Sequence, residues 1–205
     1  MKNFKIDNST DPSLLDKEYI LLKQERYIHK DLKKLPLTNE RAEGVFELAT
    51  KIRGENHKLC GIYLRASLGE LVSMEETLKI DLPGQTPLKL NKIENTLLHI
   101  LRELRNFQFH LRNLELKYNE TQITIISEND PDFSLQGEDK LTVIDNLNLK
   151  DLKKLHNIKN GYTDSEILHM IDWMNFYQKE YSIQSLILKG LKFYSTELVN
   201  HYGLL

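Results

Sequence analysis

The chain alternates between segments with apolar residues every third or fourth position and short polar breaks, which is the signature of amphipathic helices. Asp11-Pro12 reads as an N-cap followed by proline in the first turn. The helix it opens carries Leu14, Leu15, Ile20, Leu21 and Leu22 and stops near Pro36 in "KKLPLT". Thr38 is the expected cap of a second helix, with Val45, Phe46, Leu48, Ala49 and Ile52 on its buried side. A third runs through "LCGIYLRASLGELVSMEETL" with Cys60, Tyr63, Leu64, Ser67, Leu71, Met74 and Leu78 as its stripe. Cys60, Gly61, Ala66, Ser67 and Gly69 are small, so a neighbouring helix is expected to approach closely there. After the turn "DLPGQTP", Thr86 and Pro87 are expected to start a fourth helix with Leu97, Ile100, Leu101, Leu104, Phe107, Leu111 and Leu114 facing inward.

Beyond Tyr118 the period changes. "TQITIIS" is short and β-branched, the pattern of a strand or extended arm, and "ENDPDFSLQGED" reads as loop. Helical spacing returns in "LKDLKKLHNIKN" up to Gly161. Thr163 and Glu166 then form a capping box for a long final helical region with a bend expected near Tyr181-Ser182. The expected architecture is all-α: an up-down helical bundle over residues 1–118, an extended or loop insert over 119–137, and C-terminal helices over 138–205 that pack on the bundle or complete it, with at most one short strand or hairpin.

Composition narrows the function classes. Of 205 residues, 40% are hydrophobic and 28% charged, enough for a packed core. The net charge of −2 is far from the positive excess of a protein that coats nucleic acid, so any RNA contact must be local, and nothing signals DNA. One cysteine, Cys60, allows no internal disulfide and suits a reducing cytosol. No apolar run reaches the ~20 residues of a membrane span, and "MKNFKIDNSTDPS" lacks the core of a signal peptide; a cytoplasmic protein is expected.

The chemistry worth testing lies in "LRELRNFQFHLRNLEL", residues 101–116. At about 100° per residue, Arg102, Asn106, His110 and Asn113 share one helix stripe, flanked by His99 and Glu103 and opposite the leucine seam. Arg105 lies to one side and is long enough to lean over Asn106. Imidazole takes and gives protons near neutral pH, guanidinium grips phosphate with two prongs, and an amide orients a partner without adding charge. Together they suit cleavage of an RNA phosphodiester by its own ribose 2′-hydroxyl. His110 would move the proton, Arg105 would neutralise phosphoryl charge and Asn106 would hold the geometry. No metal or cofactor is called for.

"RNFQFH" resembles the signature of the HEPN superfamily, in which an arginine and a polar neighbour precede a histidine by a few variable positions. The architecture over roughly residues 10–118 is also similar: a bundle of about four or five helices with the motif in a late one. The resemblance implies a metal-independent endoribonuclease of a toxin–antitoxin or phage-defence setting, a homodimer whose Arg-His pairs line a shared cleft, and a cognate antitoxin or other protein partner. Carried over by position, it marks Arg105, Asn106 and His110. Some members of that superfamily are non-catalytic binding or assembly modules, so a helical interaction protein, or an antitoxin-type partner, stays open beside the enzyme.

The plain alternative for the stripe is a solvated helix face, expected above all for Arg102, Glu103 and Arg112. His99 and Glu103 have the spacing of two metal ligands but no third, which does not make a zinc site. Phe109 points off the main seam and calls for a further packing partner. Cys60, Trp173, Phe176, Tyr177 and Tyr181 read as packing residues, the other histidines as surface or satisfied core, and Lys150, Lys153, Lys154 and Lys159 as a solvated basic run.

Overall fold

The computed structural model describes residues 23–53, 56–110, 114–126, 134–145 and 147–205. Of the side chains at residues 109, 110, 122–126, 134–136, 139 and 157 nothing is described. Seven helices and one hairpin make up the described chain: α1 (Pro36–Ala49), α2 (His57–Asp81), α3 (Thr96–His110), β1 (Leu116–Ile126), β2 (Ser134–Ile144), α4 (Leu149–Leu152), α5 (His156–Gly161), α6 (Asp164–Tyr177) and α7 (Ile183–His201). The fold is mostly helical, as the periodicity predicts. No described helix is long and apolar enough to cross a membrane.

The start of the chain departs from expectation. The first part of the predicted N-terminal helix, with its Asp11-Pro12 cap, lies outside the described residues. Its remainder is two 3-10 turns, Gln24–Arg26 and Lys30–Lys34, separated by extended backbone at His29. His29 is held there by α7, because its N–H donates to Ser195 Oγ at 3.2 Å. A continuous helix would direct that N–H to its own turn instead.

α1 begins at Pro36, where a missing N–H costs nothing, and its first turn is capped from another helix. Asp81, the last residue of α2, accepts from Thr38 N at 2.8 Å and Thr38 Oγ1 at 2.7 Å. A carboxylate at a helix N-terminus satisfies orphan donors and complements the dipole. It also pins the start of α1 to the end of α2. The α2 stripe is buried as expected at Cys60, Leu64, Ser67, Leu71, Met74 and Leu78. A Cβ on Gly61 would meet nothing within 4 Å, so that glycine is not needed for space. A tight contact lies at Gly190 of α7, where a Cβ would overlap Leu101 Cδ1 and touch Leu98. A glycine there lets α7 lie against α3.

α3 starts nine residues later than Thr86-Pro87 suggests, at Thr96. Residues 86–95 instead form a strap with one 3-10 turn, Leu90–Lys92. Its backbone groups are satisfied by distant side chains. Tyr194 Oη donates to Leu88 O at 2.7 Å, Leu88 N donates to Tyr202 Oη at 2.8 Å, and Leu90 N donates to Glu75 Oε1 at 3.0 Å. These tertiary bonds replace the helical ones. Asn95 then caps α3, its Oδ1 accepting from Leu98 N at 3.1 Å.

β1 and β2 form an antiparallel pair from Leu116↔Ile144 to Ile126↔Ser134. The segment read as loop before Lys140 is therefore strand from Ser134 onward. The hairpin base is tied to the bundle by buried Gln178, which accepts from Ile144 N at 2.6 Å and donates to Ile144 O at 3.1 Å. The amide mimics one rung of a strand ladder and occupies the break between α6 and α7. The Thr163–Glu166 capping box is present, and the expected break near Tyr181 is found, with Ser182 capping α7. Residues Leu186, Leu191 and Leu198 of α7 share one buried cluster with Leu64, Leu68 and Leu101, so the C-terminal helices complete the bundle.

Candidate functional site

The apolar side of α3 is as the spacing predicts: Leu97, Ile100, Leu101, Leu104 and Phe107 are buried, as is Leu114 just beyond the helix. Leu111 lies outside the described residues, with Arg112 and Asn113. The other side of α3 is the surprise. Exposures of 4% at His99, 3% at Glu103 and 6% at Asn106 mark an interior polar face, and the expectation of a solvated stripe is overturned there. The covering groups come from far along the chain. The strap and Tyr162 close over His99, α2 contributes Glu75, and a small apolar cavity lined by Ile100, Leu104, Leu152, Ile158 and Met170 has Glu103 in its wall.

Buried polar atoms need partners, and these have them. Arg102 Nε donates to Glu75 Oε1 at 3.3 Å, and its Nη1 donates to Glu103 Oε1 at 3.4 Å. Asn106 Nδ2 donates to Glu103 Oε2 at 3.0 Å. Arg105, half-buried, donates from Nη1 to Asn106 Oδ1 at 3.3 Å. A chain of bonds thus runs from Glu75 in α2, through Arg102, Glu103 and Asn106, to the guanidinium of Arg105. Burial pushes the Glu103 carboxyl up, and the bonds from Asn106 and Arg102 pull the other way.

His99 is fully committed. Its Nε2 lies 2.9 Å from Ile93 O, and its Nδ1 lies 2.8 Å from Tyr162 Oη. A carbonyl only accepts, so the network assigns the ring proton to Nε2 and leaves Nδ1 to accept from the tyrosine. Burial pushes His99 down to about 4 and raises the Tyr162 hydroxyl, with Glu103 adding to the latter. Both groups are neutral at pH 7. The metal-ligand reading of His99 and Glu103 fails on the same bonds, and no group of three metal-binding side chains occurs among the described residues.

Of the three residues singled out from sequence, the structure places Arg105 and Asn106 in direct contact. His110 ends α3, and its side chain, like that of Phe109, lies outside the described residues. Cys60 is buried, and burial raises its thiol, which fits packing. Lys153 and Lys154 of the basic run pair with Asp164 at 2.8 Å and Asp151 at 2.6 Å on the surface. Two members of the network escaped the sequence reading, Glu75 and Tyr162. Glu75 left a signal: it shares the apolar stripe of Leu71, Met74 and Leu78, where a carboxylate demands a partner. Tyr162 left none. No family model, curated protein or solved structure matches the chain.

Proposed function

We propose that this chain is a HEPN-like endoribonuclease that cleaves RNA without a metal ion, as a homodimer and as a toxin or phage-defence component with a cognate antitoxin or other protein partner. The observation that carries the reading is the contact between Arg105 and Asn106 on the helix that ends at His110. A cation meant to meet a phosphate gains from being held in place before the phosphate arrives. The amide of Asn106, itself buried and bonded, provides that hold.

In this mechanism His110 removes the proton of the ribose 2′-hydroxyl, and the 2′-oxygen attacks the adjacent phosphorus. The bond to the 5′-oxygen breaks, and that oxygen takes a proton from an imidazolium. The products are a 2′,3′-cyclic phosphate and a 5′-hydroxyl, with no water consumed. Arg105 offsets the charge that builds on the phosphoryl oxygens. A net charge of −2 fits a local RNA contact better than a broad basic surface.

A second reading is favoured by the burial of His99, Glu103 and Asn106: the polar face of α3 holds the bundle together, and the protein is a non-catalytic interaction module. An RNA-cleavage assay with EDTA present separates the two. Under the enzyme reading, wild type cleaves and His110→Ala loses at least ~100-fold, the lower range for a general acid–base group. Cleavage that persists unchanged in His110→Ala rejects it as the proton carrier, and an inert wild type favours the interaction module.

A further inference from the structure

We infer that Glu103 is a positioning residue for Arg105, acting through the Asn106 amide; the role in RNA cleavage rests on the ribonuclease reading above. The two ends of an amide have nearly the same shape and opposite hydrogen-bonding character. Asn106 presents its oxygen to Arg105 Nη1 at 3.3 Å because its nitrogen is engaged by Glu103 Oε2 at 3.0 Å. Without an acceptor on the nitrogen side, a half-turn of the amide sets donor against donor at the guanidinium. Glu103 is in turn fixed by Arg102 at 3.4 Å, and Arg102 by Glu75 at 3.3 Å. Glu75 accepts from the backbone of Leu90 as well, so the chain is anchored in α2 and in the strap. All four links are side chains on rigid elements or bonded to backbone, which is how a reactive group is held to a fraction of an ångström.

The pattern predicts a rescue. In Glu103→Gln, the single amide oxygen must serve either Arg102 or Asn106, and one contact fails. In the double variant Glu103→Gln with Asn106→Asp, the glutamine oxygen accepts from Arg102, and its nitrogen donates to the aspartate. The other aspartate oxygen accepts from Arg105. Every bond is restored, and the total charge of the pair is unchanged.

The test uses the full chain labelled with 15N, with the Arg105 Nη–H signals, which report the contact to Asn106, assigned by their loss in Arg105→Lys. Expected are a shifted, narrow signal in wild type, a changed signal in Glu103→Ala and Glu103→Gln, and a return toward the wild-type signal in the double variant. In the cleavage assay, kcat is expected to fall about 10- to 100-fold in the single variants, the effect of a reactive group displaced by about an ångström. An Arg105 signal unchanged in both single variants overturns the inference, as does one that fails to return toward the wild-type signal in the double variant. If wild type cleaves no RNA while the signal behaves as expected, the ribonuclease reading fails and the positioning of Arg105 stands. If wild type cleaves and the single variants keep full kcat, the positioning role falls and the ribonuclease reading survives.

Discussion

Arg41 of α1 and Glu70 of α2 meet at 2.9 Å on the outside of the helix pair, with Glu70 accepting through both oxygens. Arg102 meets Glu75 at 3.3 Å and Glu103 at 3.4 Å in the interior. By distance the outer pair is stronger. The physics reverses the order, because at 4 Å a pair of unit charges interacts by roughly 1 kcal/mol in water and about 4 at an effective dielectric of 20. The Arg41 and Glu70 side chains are 44% and 28% exposed, whereas Glu75 and Glu103 stand at 5% and 4%. Water and salt screen the first pair and stand in for either partner when the other is removed. The second pair lies where a lost partner leaves a bare charge. Burial, more than separation, decides what an ion pair does for this fold.

The sharpest way to break that contrast is Arg102→Ala. It strips a cation from two buried carboxylates at once, and the expected loss is about 3–5 kcal/mol of stability, as for other broken buried pairs. Urea unfolding measures it; a loss below ~1 kcal/mol, the range of a surface pair, would mean that the interior network is solvated after all.

Next in size is the response to acid. His99 is pushed down to about 4 in the folded chain and returns to an ordinary value of about 6.5 when unfolded. Below pH 6.5 the unfolded chain therefore takes up a proton that the folded chain refuses. Stability is full above that pH, falls as pH drops from 6.5 to 4, and falls no further on this account below 4. The gap corresponds to about 3 kcal/mol. Unfolding measured at pH 7 and pH 5 on wild type and His99→Gln isolates it, because the variant has no group to titrate there. Equal slopes in the two proteins would show that His99 is hydrated. The smallest effect is expected for Arg41→Ala, at most about 0.5 kcal/mol and vanishing in high salt.

The same contrast explains how far the sequence could be read. Apolar residues recur with the helical period because each helix must bury one side, so the seams of α1, α2 and α3 and the Thr163 capping box were legible from local pattern. Pro87 was a misleading signal. Tyr194, Tyr202 and Glu75 claim the backbone of the strap and delay α3 to Thr96, and those residues lie up to 114 positions from the bonds they make. The polar face of α3 misled for a related reason. Arg102, Glu103 and Asn106 are residues that usually face water, and helical spacing separates apolar from polar without saying whether the polar side is wet.

From the sequence alone came the helical class, the apolar seams, the cap at Thr163, the break before α7 and the grouping of Arg105, Asn106 and His110 on one helix. These depend on short-range spacing and backbone preference, which neighbours along the chain determine. Only the folded arrangement decided that the strap replaces a helix start, that α7 closes on α3 at Gly190, and that the polar face of α3 is an interior network reaching Arg105. Each of those depends on which distant groups take up a backbone or side-chain polar atom, and that is settled when the helices pack.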